Sequence, residues 1–183
     1  MEEINIFVIL SIILWLILFI YWIINSKERG IINEIAGLAK LIISGLVLYI
    51  PVFFSIKILA YKQNMVSNAA GLIINFLGFI ICITGRKYLS KNWSGKVTLQ
   101  EKHTLIKNGP YKIIRHPIYS GVLIMMLGSG IIAGNLFGFI WVFFCFFGLF
   151  RKSKQEEKLL EQEFGEAYAQ YKKETKMLVP FIL

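Results

Sequence analysis

The stretch IYSGVLIMMLGSGIIAGNLFGFIWVFFCFFGLF, residues 118–150, decides the fold because it runs for 33 residues without a charge. A single helix of that length would be about 50 Å long, well beyond a hydrocarbon core of roughly 30 Å. Gly134-Asn135 is a turn signal near the middle of the stretch. The stretch therefore predicts a hairpin of two short membrane helices.

The remaining sequence also has the composition of an integral membrane protein. Its 183 residues are 56% hydrophobic with a mean hydropathy of +0.63, and the charges are concentrated in a few segments. Three further apolar runs, at residues 4–24, about 38–60 and 69–85, are long enough to span a bilayer. The predicted fold is therefore all-α, with five transmembrane helices.

The basic residues predict the orientation of these helices. Eight of the 20 lysines and arginines lie at 86–115 and seven more at 151–176. The positive-inside rule places both segments in the cytoplasm, which agrees with a hairpin between them and puts the N-terminus outside. The net charge of +9 then reflects topology and attraction to anionic lipid, and no nucleic-acid partner is expected. Cys82 and Cys145 lie in apolar runs, so neither a disulfide nor a metal site is predicted.

Polar residues just before the hairpin are candidates for a binding site. Pro117 suits the first turn of a helix and leaves Arg115 and His116 beside its unpaired backbone N–H groups. A helix N-terminus with an adjacent arginine favours anions, such as the carboxylate of a small cofactor. The alternative is a basic, aromatic loop that merely lies on the membrane.

The tail at 151–171 is predicted to be a separate, cytoplasmic amphipathic helix. One face carries apolar residues at spacings of 4, 4 and 3, namely Leu160, Phe164, Tyr168 and Tyr171. Three residues earlier the same face carries Glu157, with Glu156 and Glu161 at its flanks. A carboxylate on an apolar face needs a partner, and Arg115 is predicted on the same side of the membrane. The alternative is a solvated charge among Lys154 and Lys158.

These elements together resemble the isoprenylcysteine carboxyl methyltransferase family and are similar to phospholipid N-methyltransferases. The resemblance rests on Gly109-Pro110-Tyr111, the run Arg115-His116-Pro117-x-Tyr119-x-Gly121, Glu156-Glu157 and the tail from Phe164 to Pro180. It implies S-adenosylmethionine as cofactor, bound without a Rossmann domain, and an amphiphilic or prenylated methyl acceptor. The implied cofactor contacts are His103, Leu105, Gly109, Pro110, Tyr111, Arg115, His116, Pro117, Tyr119, Glu156 and Glu157, with Arg115, His116 and Glu157 as catalytic candidates.

Chemistry suggests how these residues act. The cofactor presents an ammonium group suited to Glu157 and a carboxylate suited to Arg115. A carboxylate acceptor is ionised at neutral pH and needs no general base, whereas an amine or thiol would need His103 or His116. The helix N-terminus is expected to disfavour the charged form of His116. Met177 stands where the family tail often has an arginine, which bears on the identity of the acceptor.

The chain is interpreted as one domain, 1–183. Residues 1–89 hold three helices, and residues 90–183 hold the cofactor loop, the hairpin and the C-terminal helix. Three alternatives remain open: a phospholipid N- or thiol S-methyltransferase, a sterol-reductase-like enzyme that uses NADPH, and a non-enzymatic scaffold. In the scaffold, Gly121, Gly128, Gly130 and Gly134 only pack helices and the basic tail only binds anionic lipid. The oligomeric state is not set by any sequence feature.

Overall fold

The computed structural model describes residues 5–25, 39–40, 42–50, 59–89 and 105–179. Five α-helices lie in these ranges: α1 (Ile6–Ile24), α2 (Met65–Leu89), α3 (Pro117–Ala133), α4 (Leu136–Phe164) and α5 (Glu166–Glu174). Residues 42–50 are also helical and include a 3₁₀ turn at Val47–Tyr49. Within these ranges α1, α2 and α4 are long and apolar enough to cross a membrane, and α3 is a shorter apolar helix.

The predicted turn at Gly134-Asn135 is present and joins α3 to α4. Gly134 has a φ of 65°, in the left-handed region that favours glycine, and ends α3. The side chain of Asn135 then accepts a hydrogen bond of 2.8 Å from the backbone N–H of Phe137 and caps α4. The helices pack closely enough that a Cβ on Gly138 would lie 3.0 Å from the Cα of Gly130.

The second predicted span ends earlier than Ala60. Leu59 has a φ of 64° and Ala60 pairs with Asn135 in an antiparallel bridge, so neither residue is helical. Next to them, the Tyr61 hydroxyl and the Gln63 amide donate to the Ile131 carbonyl at 3.0 and 3.1 Å. The last carbonyls of α3 need such donors, which explains why this segment is extended. Residues 51–58, including the predicted kink at Pro51, lie outside the described ranges.

The third predicted span is longer than expected at both ends. Asn64 and Ser67 cap α2, since the Ser67 N–H donates to Asn64 Oδ1 at 2.8 Å, and the helix continues through its basic end to Leu89. Small residues bring α2 against α3. A Cβ on Gly78 would lie 2.5 Å from the Gly121 carbonyl oxygen, so a larger residue at 78 would force the two helices apart.

The tail departs from its prediction as a separate amphipathic helix at 151–171. No helix-breaking residue separates the apolar run from the basic tail, so α4 continues unbroken for 29 residues. The second arm of the hairpin is therefore long, about 43 Å at roughly 1.5 Å per residue. The break comes at Gly165, which has a φ of 50°, and α5 follows it. Glu157, which helical spacing placed on the apolar face of the tail, is buried at 3% exposure.

A group of five uncharged polar side chains, here the neutral cluster, joins α1, segment 42–50, α2 and α3. Its members are Ser11, Trp15, Tyr49, Asn75 and Ser129, each 0% exposed. The Asn75 amide donates to the Ser129 and Ser11 hydroxyls at 2.8 and 2.5 Å. Trp15 Nε1 donates to Ser129 at 3.0 Å, and the Tyr49 hydroxyl donates to Ser11. Neutral hydrogen bonds therefore hold the helices together inside the apolar region.

Candidate active site

A second polar group, here the charged cluster, forms where α3 begins and α4 leaves its apolar run. It consists of Arg115, His116, Tyr119, Glu156 and Glu157. Arg115 Nε lies 2.6 Å from Glu157 Oε1, with side-chain exposures of 7% and 4%. A buried ion pair is costly unless its hydrogen bonds are complete, so the remaining partners decide what this pair does.

A second nitrogen of Arg115 donates to the tail. Its Nη1 atom lies 2.5 Å from the Thr175 carbonyl oxygen and 3.4 Å from the Lys172 carbonyl oxygen. The sequence predicted that Arg115 and the start of α3 would bind an anion such as the carboxylate of a cofactor. In this structure the anion beside Arg115 is the carboxylate of Glu157. Arg115 joins α3, α4 and the tail at one point.

His116 lies between the two carboxylates. Its Nδ1 atom is 3.4 Å from Glu156 Oε2, and its Nε2 atom is 3.5 Å from Glu157 Oε1, without a hydrogen bond to Nε2. Burial lowers the pKa of His116, but the neighbouring carboxylates of Glu156 and Glu157 raise it, and the net effect is a raised pKa. The helix N-terminus alone predicts the opposite, so the carboxylates outweigh it.

Tyr119 and Lys152 surround the more accessible carboxylate. The Tyr119 hydroxyl donates to Glu156 Oε1 at 2.6 Å, and its ring stacks on the His116 ring at a centroid distance of 5.6 Å. Lys152 Nζ lies 3.9 Å from Glu156 Oε1 and 5.2 Å from the Tyr119 ring centroid. Because the Glu156 side chain is 19% exposed, it is the carboxylate that a ligand reaches first.

The C-terminal tail holds the Arg115-His116 backbone in place. The Arg115 N–H donates to the Lys176 carbonyl at 2.8 Å, and the His116 N–H donates to the Met177 carbonyl at 3.1 Å. One turn into α3, the Ser120 hydroxyl donates to the Leu178 carbonyl at 2.5 Å. The Met177 side chain packs into the apolar core at 9% exposure.

The glycine-proline element forms a 3₁₀ turn, Gly109–Lys112. Tyr111 is buried, and its carbonyl accepts a hydrogen bond of 2.7 Å from the Tyr171 hydroxyl, which links the turn to α5. Among the hydrogen bonds and ion pairs of the described residues, none joins Leu105, Gly109 or Pro110 to the charged cluster. Pro117 is the buried first residue of α3. The remaining candidate, His103, lies outside the described ranges.

Three residues near the cluster were not predicted from the sequence. Lys172 Nζ lies 3.5 Å from Glu157 Oε2 and 2.6 Å from Glu161 Oε1, and the pKa of Lys172 is raised, mainly by its hydrogen bond with Glu161. Thr175 contacts Arg115 across the fold, a contact without a local signal. Lys152 was detectable, since it precedes Glu156 by four residues, one helical turn.

The model of the isoprenylcysteine carboxyl methyltransferase (ICMT) family matches residues 70–162. This chain belongs to the ICMT family. The matched segment contains the whole charged cluster and most of α2, α3 and α4. The chain is thus a membrane methyltransferase of the ICMT family, which confirms the resemblance read from its motifs.

Two curated ICMT relatives come from Arabidopsis thaliana. Protein-S-isoprenylcysteine O-methyltransferase B is 29% identical over 178 residues, covering 86% of this chain and 88% of the relative. Protein-S-isoprenylcysteine O-methyltransferase A is 31% identical over 132 residues, covering 66% of this chain and 63% of the relative.

The solved structure of a eukaryotic intramembrane Ras methyltransferase ICMT has the same fold, with a TM-score of 0.59 and 23% identity. The alignment covers 86% of this chain and 55% of that one. The integral membrane fold is therefore that of ICMT.

Proposed function

We propose that this ICMT-family chain transfers a methyl group from S-adenosylmethionine to a lipophilic acceptor at the cytoplasmic face of the membrane. The observation that carries the proposal is the convergence of the charged cluster within the segment that matches the family. Its side chains come from two helices, separated by about 40 residues of sequence, and meet where the apolar run ends. Ionisable groups at such a depth are costly and mark functional sites.

The side chains of the charged cluster fit this cofactor. S-adenosylmethionine carries an ammonium and a sulfonium, which suit carboxylates and aromatic faces. Glu156 supplies a partly exposed carboxylate, and the stacked His116 and Tyr119 rings lie beside it. Within the described ranges, two buried polar atoms, His116 Nε2 and the Tyr168 hydroxyl, have no hydrogen-bond partner. Buried polar atoms normally have partners, so these atoms are available to a ligand.

The two glutamates have different roles in this proposal. Glu156 is reachable and would hold the ammonium group of the cofactor. Lys152, beside it, would approach the carboxylate group of the cofactor. Glu157 is enclosed by Arg115 and Lys172, so it would position His116 and the tail. This assignment changes the expectation that Arg115 and Glu157 each bind the cofactor directly, because the two side chains bind each other.

The protein then contributes alignment and exclusion of water. When bound, S-adenosylmethionine supplies an electrophilic methyl group on a sulfonium. The fixed carboxylates and rings would orient the methyl group toward an acceptor that enters from the bilayer, and the docked tail would keep water out. The acceptor's oxygen gains the methyl–oxygen bond while the methyl–sulfur bond breaks, so the sulfonium becomes a neutral thioether.

A prenylated cysteine carboxylate is the acceptor that we propose, because the curated relatives are named protein-S-isoprenylcysteine O-methyltransferases. Such a carboxylate has a pKa of about 3.3 to 3.7 and is ionised at neutral pH. It needs no general base, which agrees with a His116 whose pKa is raised. A protonated His116 between two glutamates is a poor proton acceptor.

The sidedness follows from the positive-inside rule. The basic segment of α4 and the basic residues of the tail lie at the same end of the molecule as the charged cluster. We therefore place the site and the C-terminus in the cytoplasm, with the N-terminus of α1 outside. One domain over residues 1–183 remains part of this proposal.

The test is methyl transfer by protein purified in phosphatidylcholine nanodiscs. Labelled S-adenosylmethionine is supplied with N-acetyl-S-farnesylcysteine, with phosphatidylethanolamine or with a lipophilic thiol. We expect base-labile methyl ester only with the farnesylcysteine. Glu156→Gln removes a charge-assisted contact and should raise the KM for S-adenosylmethionine about 10- to 100-fold.

The matched control is Glu166→Gln, the same chemical change on an exposed residue of α5, which should behave as wild type. Methylation of phosphatidylethanolamine or of the thiol would overturn the proposed acceptor but leave S-adenosylmethionine as the cofactor. Binding of NADPH but not S-adenosylmethionine by folded protein would overturn the proposal in favour of a reductase.

A further inference from the structure

One exposed face of α4 changes from apolar to basic along its length, and we call this face the α4 stripe. Successive members are three or four residues apart, so they lie along one side of the helix. The apolar members are Leu136, Ile140, Phe143 and Phe147, each at least 48% exposed. The basic members, Arg151, Lys154 and Lys158, are also exposed. The opposite face buries Leu149, Ser153 and Glu157.

Among the described residues, no carboxylate compensates the three cations of the α4 stripe. Within the described part of the chain none of them forms an ion pair. Lys154 Nζ lies 4.6 Å from the Phe150 ring centroid, over the last aromatic residue of the apolar run. The nearest acidic residues are engaged elsewhere, Glu156 with Tyr119 and Glu161 with Lys172.

We propose that the α4 stripe binds an anionic phospholipid. Its apolar part offers an exposed aromatic and aliphatic surface to an acyl chain, and its basic part places three cations where the phosphate of that lipid would lie. Charge complementarity favours an anionic lipid over a zwitterionic one. The positive group of a zwitterionic headgroup would be repelled by the three cations of the stripe. Basic groups next to a spanning helix attract anionic lipid in this way.

The lipid site has a consequence for the charged cluster. Lys154 and Lys158 flank Glu156 and Glu157 in sequence but lie on the other side of the same two turns. A lipid bound at the stripe would fix the depth of α4 and with it the height of both glutamates. The site itself does not depend on the proposed activity, since lipid binding is measured without turnover.

The experiment is a native mass spectrometry titration of the detergent-solubilised protein with phosphatidylglycerol and phosphatidylcholine of equal chain length. We expect wild type to prefer phosphatidylglycerol by about 10-fold or more, since each basic group contributes to the attraction. The variant Arg151→Gln/Lys154→Gln/Lys158→Gln should lose that preference. The charge-conserving variant Arg151→Lys/Lys154→Arg/Lys158→Arg should keep it, which would show that the preference depends on positive charge, and matching unfolding midpoints of the two variants exclude misfolding as the cause.

The control is Lys112→Gln/Lys173→Gln/Lys176→Gln, which removes the same charge from exposed positions off the stripe and should keep the preference. An equal loss of the phosphatidylglycerol preference in this control would overturn the proposal, because the net positive charge of the protein would then explain the preference. Retained preference in the stripe variant would also overturn it. Displacement of the lipid by inorganic phosphate at equal concentration would overturn the proposal and indicate that the cations bind a soluble anion. Displacement by polyglutamate would overturn it in favour of an acidic protein partner.

Discussion

Helix α3 carries two polar groups at its two ends, and they use opposite chemistry. Near its C-terminal end, Ser129 belongs to the neutral cluster, in which every member is uncharged and fully buried. At its first turn, His116 and Tyr119 belong to the charged cluster, in which an arginine, a histidine and two glutamates meet. About 20 Å of helix separates Ser129 from His116 at roughly 1.5 Å per residue.

The two clusters show which polar side chains are found at each depth of an apolar helix bundle. Neutral hydrogen bonds satisfy polar groups deep in an apolar region at modest cost, and they join helices. Charges need partners and access to water, and they occur where α4 leaves the apolar run. The neutral cluster therefore assembles the fold, and the charged cluster is where chemistry is proposed.

The largest expected effect comes from breaking the charged cluster with Arg115→Ala. The substitution leaves Glu157 buried without its 2.6 Å partner, which costs about 3 to 5 kcal/mol for pairs of this kind. We expect a markedly lower thermal unfolding midpoint and loss of methyl transfer. Lys112→Ala, an exposed cation nearby, is the control and should unfold as wild type. Equal midpoints for the two variants would show that the pair does not hold the tail.

A smaller effect is expected when the neutral cluster is broken by Asn75→Leu. The side chain keeps its branched shape but loses its hydrogen bonds to Ser11 and Ser129, a loss of about 1 to 2 kcal/mol. The unfolding midpoint should fall while the KM for S-adenosylmethionine stays unchanged. Asn68→Leu is the matched control. The buried side-chain amide oxygen of Asn68 has no hydrogen-bond partner among the described residues, so its removal should not destabilise the fold.

Tyr49→Phe tests a peripheral member of the neutral cluster. It removes one donor to Ser11 and should cost about 0.5 to 1.5 kcal/mol, measured as a shift of the unfolding midpoint. Combined with Asn75→Leu, the two losses should not add, because both residues donate to the same hydroxyl. Full additivity would argue against a shared network.

The smallest expected effect is a pH dependence that only the charged cluster produces. The pKa of His116 is raised in the folded protein by Glu156 and Glu157 above its unfolded value of about 6.5. The folded state thus holds the proton more tightly, and this stabilisation is complete below about pH 6.5 and is lost as pH rises through the folded pKa. The unfolding midpoint of wild type should fall above pH 6.5. His116→Gln should fall less, and identical slopes would contradict the shift.

Sequence alone predicted the elements that depend on local pattern. The turn at Gly134-Asn135 follows from the length of an apolar run, and the place of Glu157 on an apolar face follows from helical spacing. The unbroken α4 was missed because a change from apolar to basic residues was taken as a helix boundary, although only Gly165 supplies a break. Composition changes the environment of a helix without ending it.

The sequence predicted the members of the charged cluster and indicated a partner for Glu157 near Arg115, but it did not predict the contacts that the cluster makes with the tail. Arg115, His116, Tyr119, Glu156 and Glu157 were named from the sequence, and the structure brings them together. That Arg115 binds Glu157 and Thr175 depends on contacts across 42 and 60 residues of sequence. Such pairings depend on how the tail docks, which no local spacing encodes.

Calorimetric titration of S-adenosylmethionine into wild type, Glu156→Gln and Asn75→Leu in the same detergent separates the roles of the two clusters. We expect Glu156→Gln to weaken binding about 10-fold or more, while Asn75→Leu binds as wild type despite its lower stability. Equal loss of affinity in both variants, or wild-type affinity in Glu156→Gln, would contradict the assignment of chemistry to the charged cluster and of assembly to the neutral one.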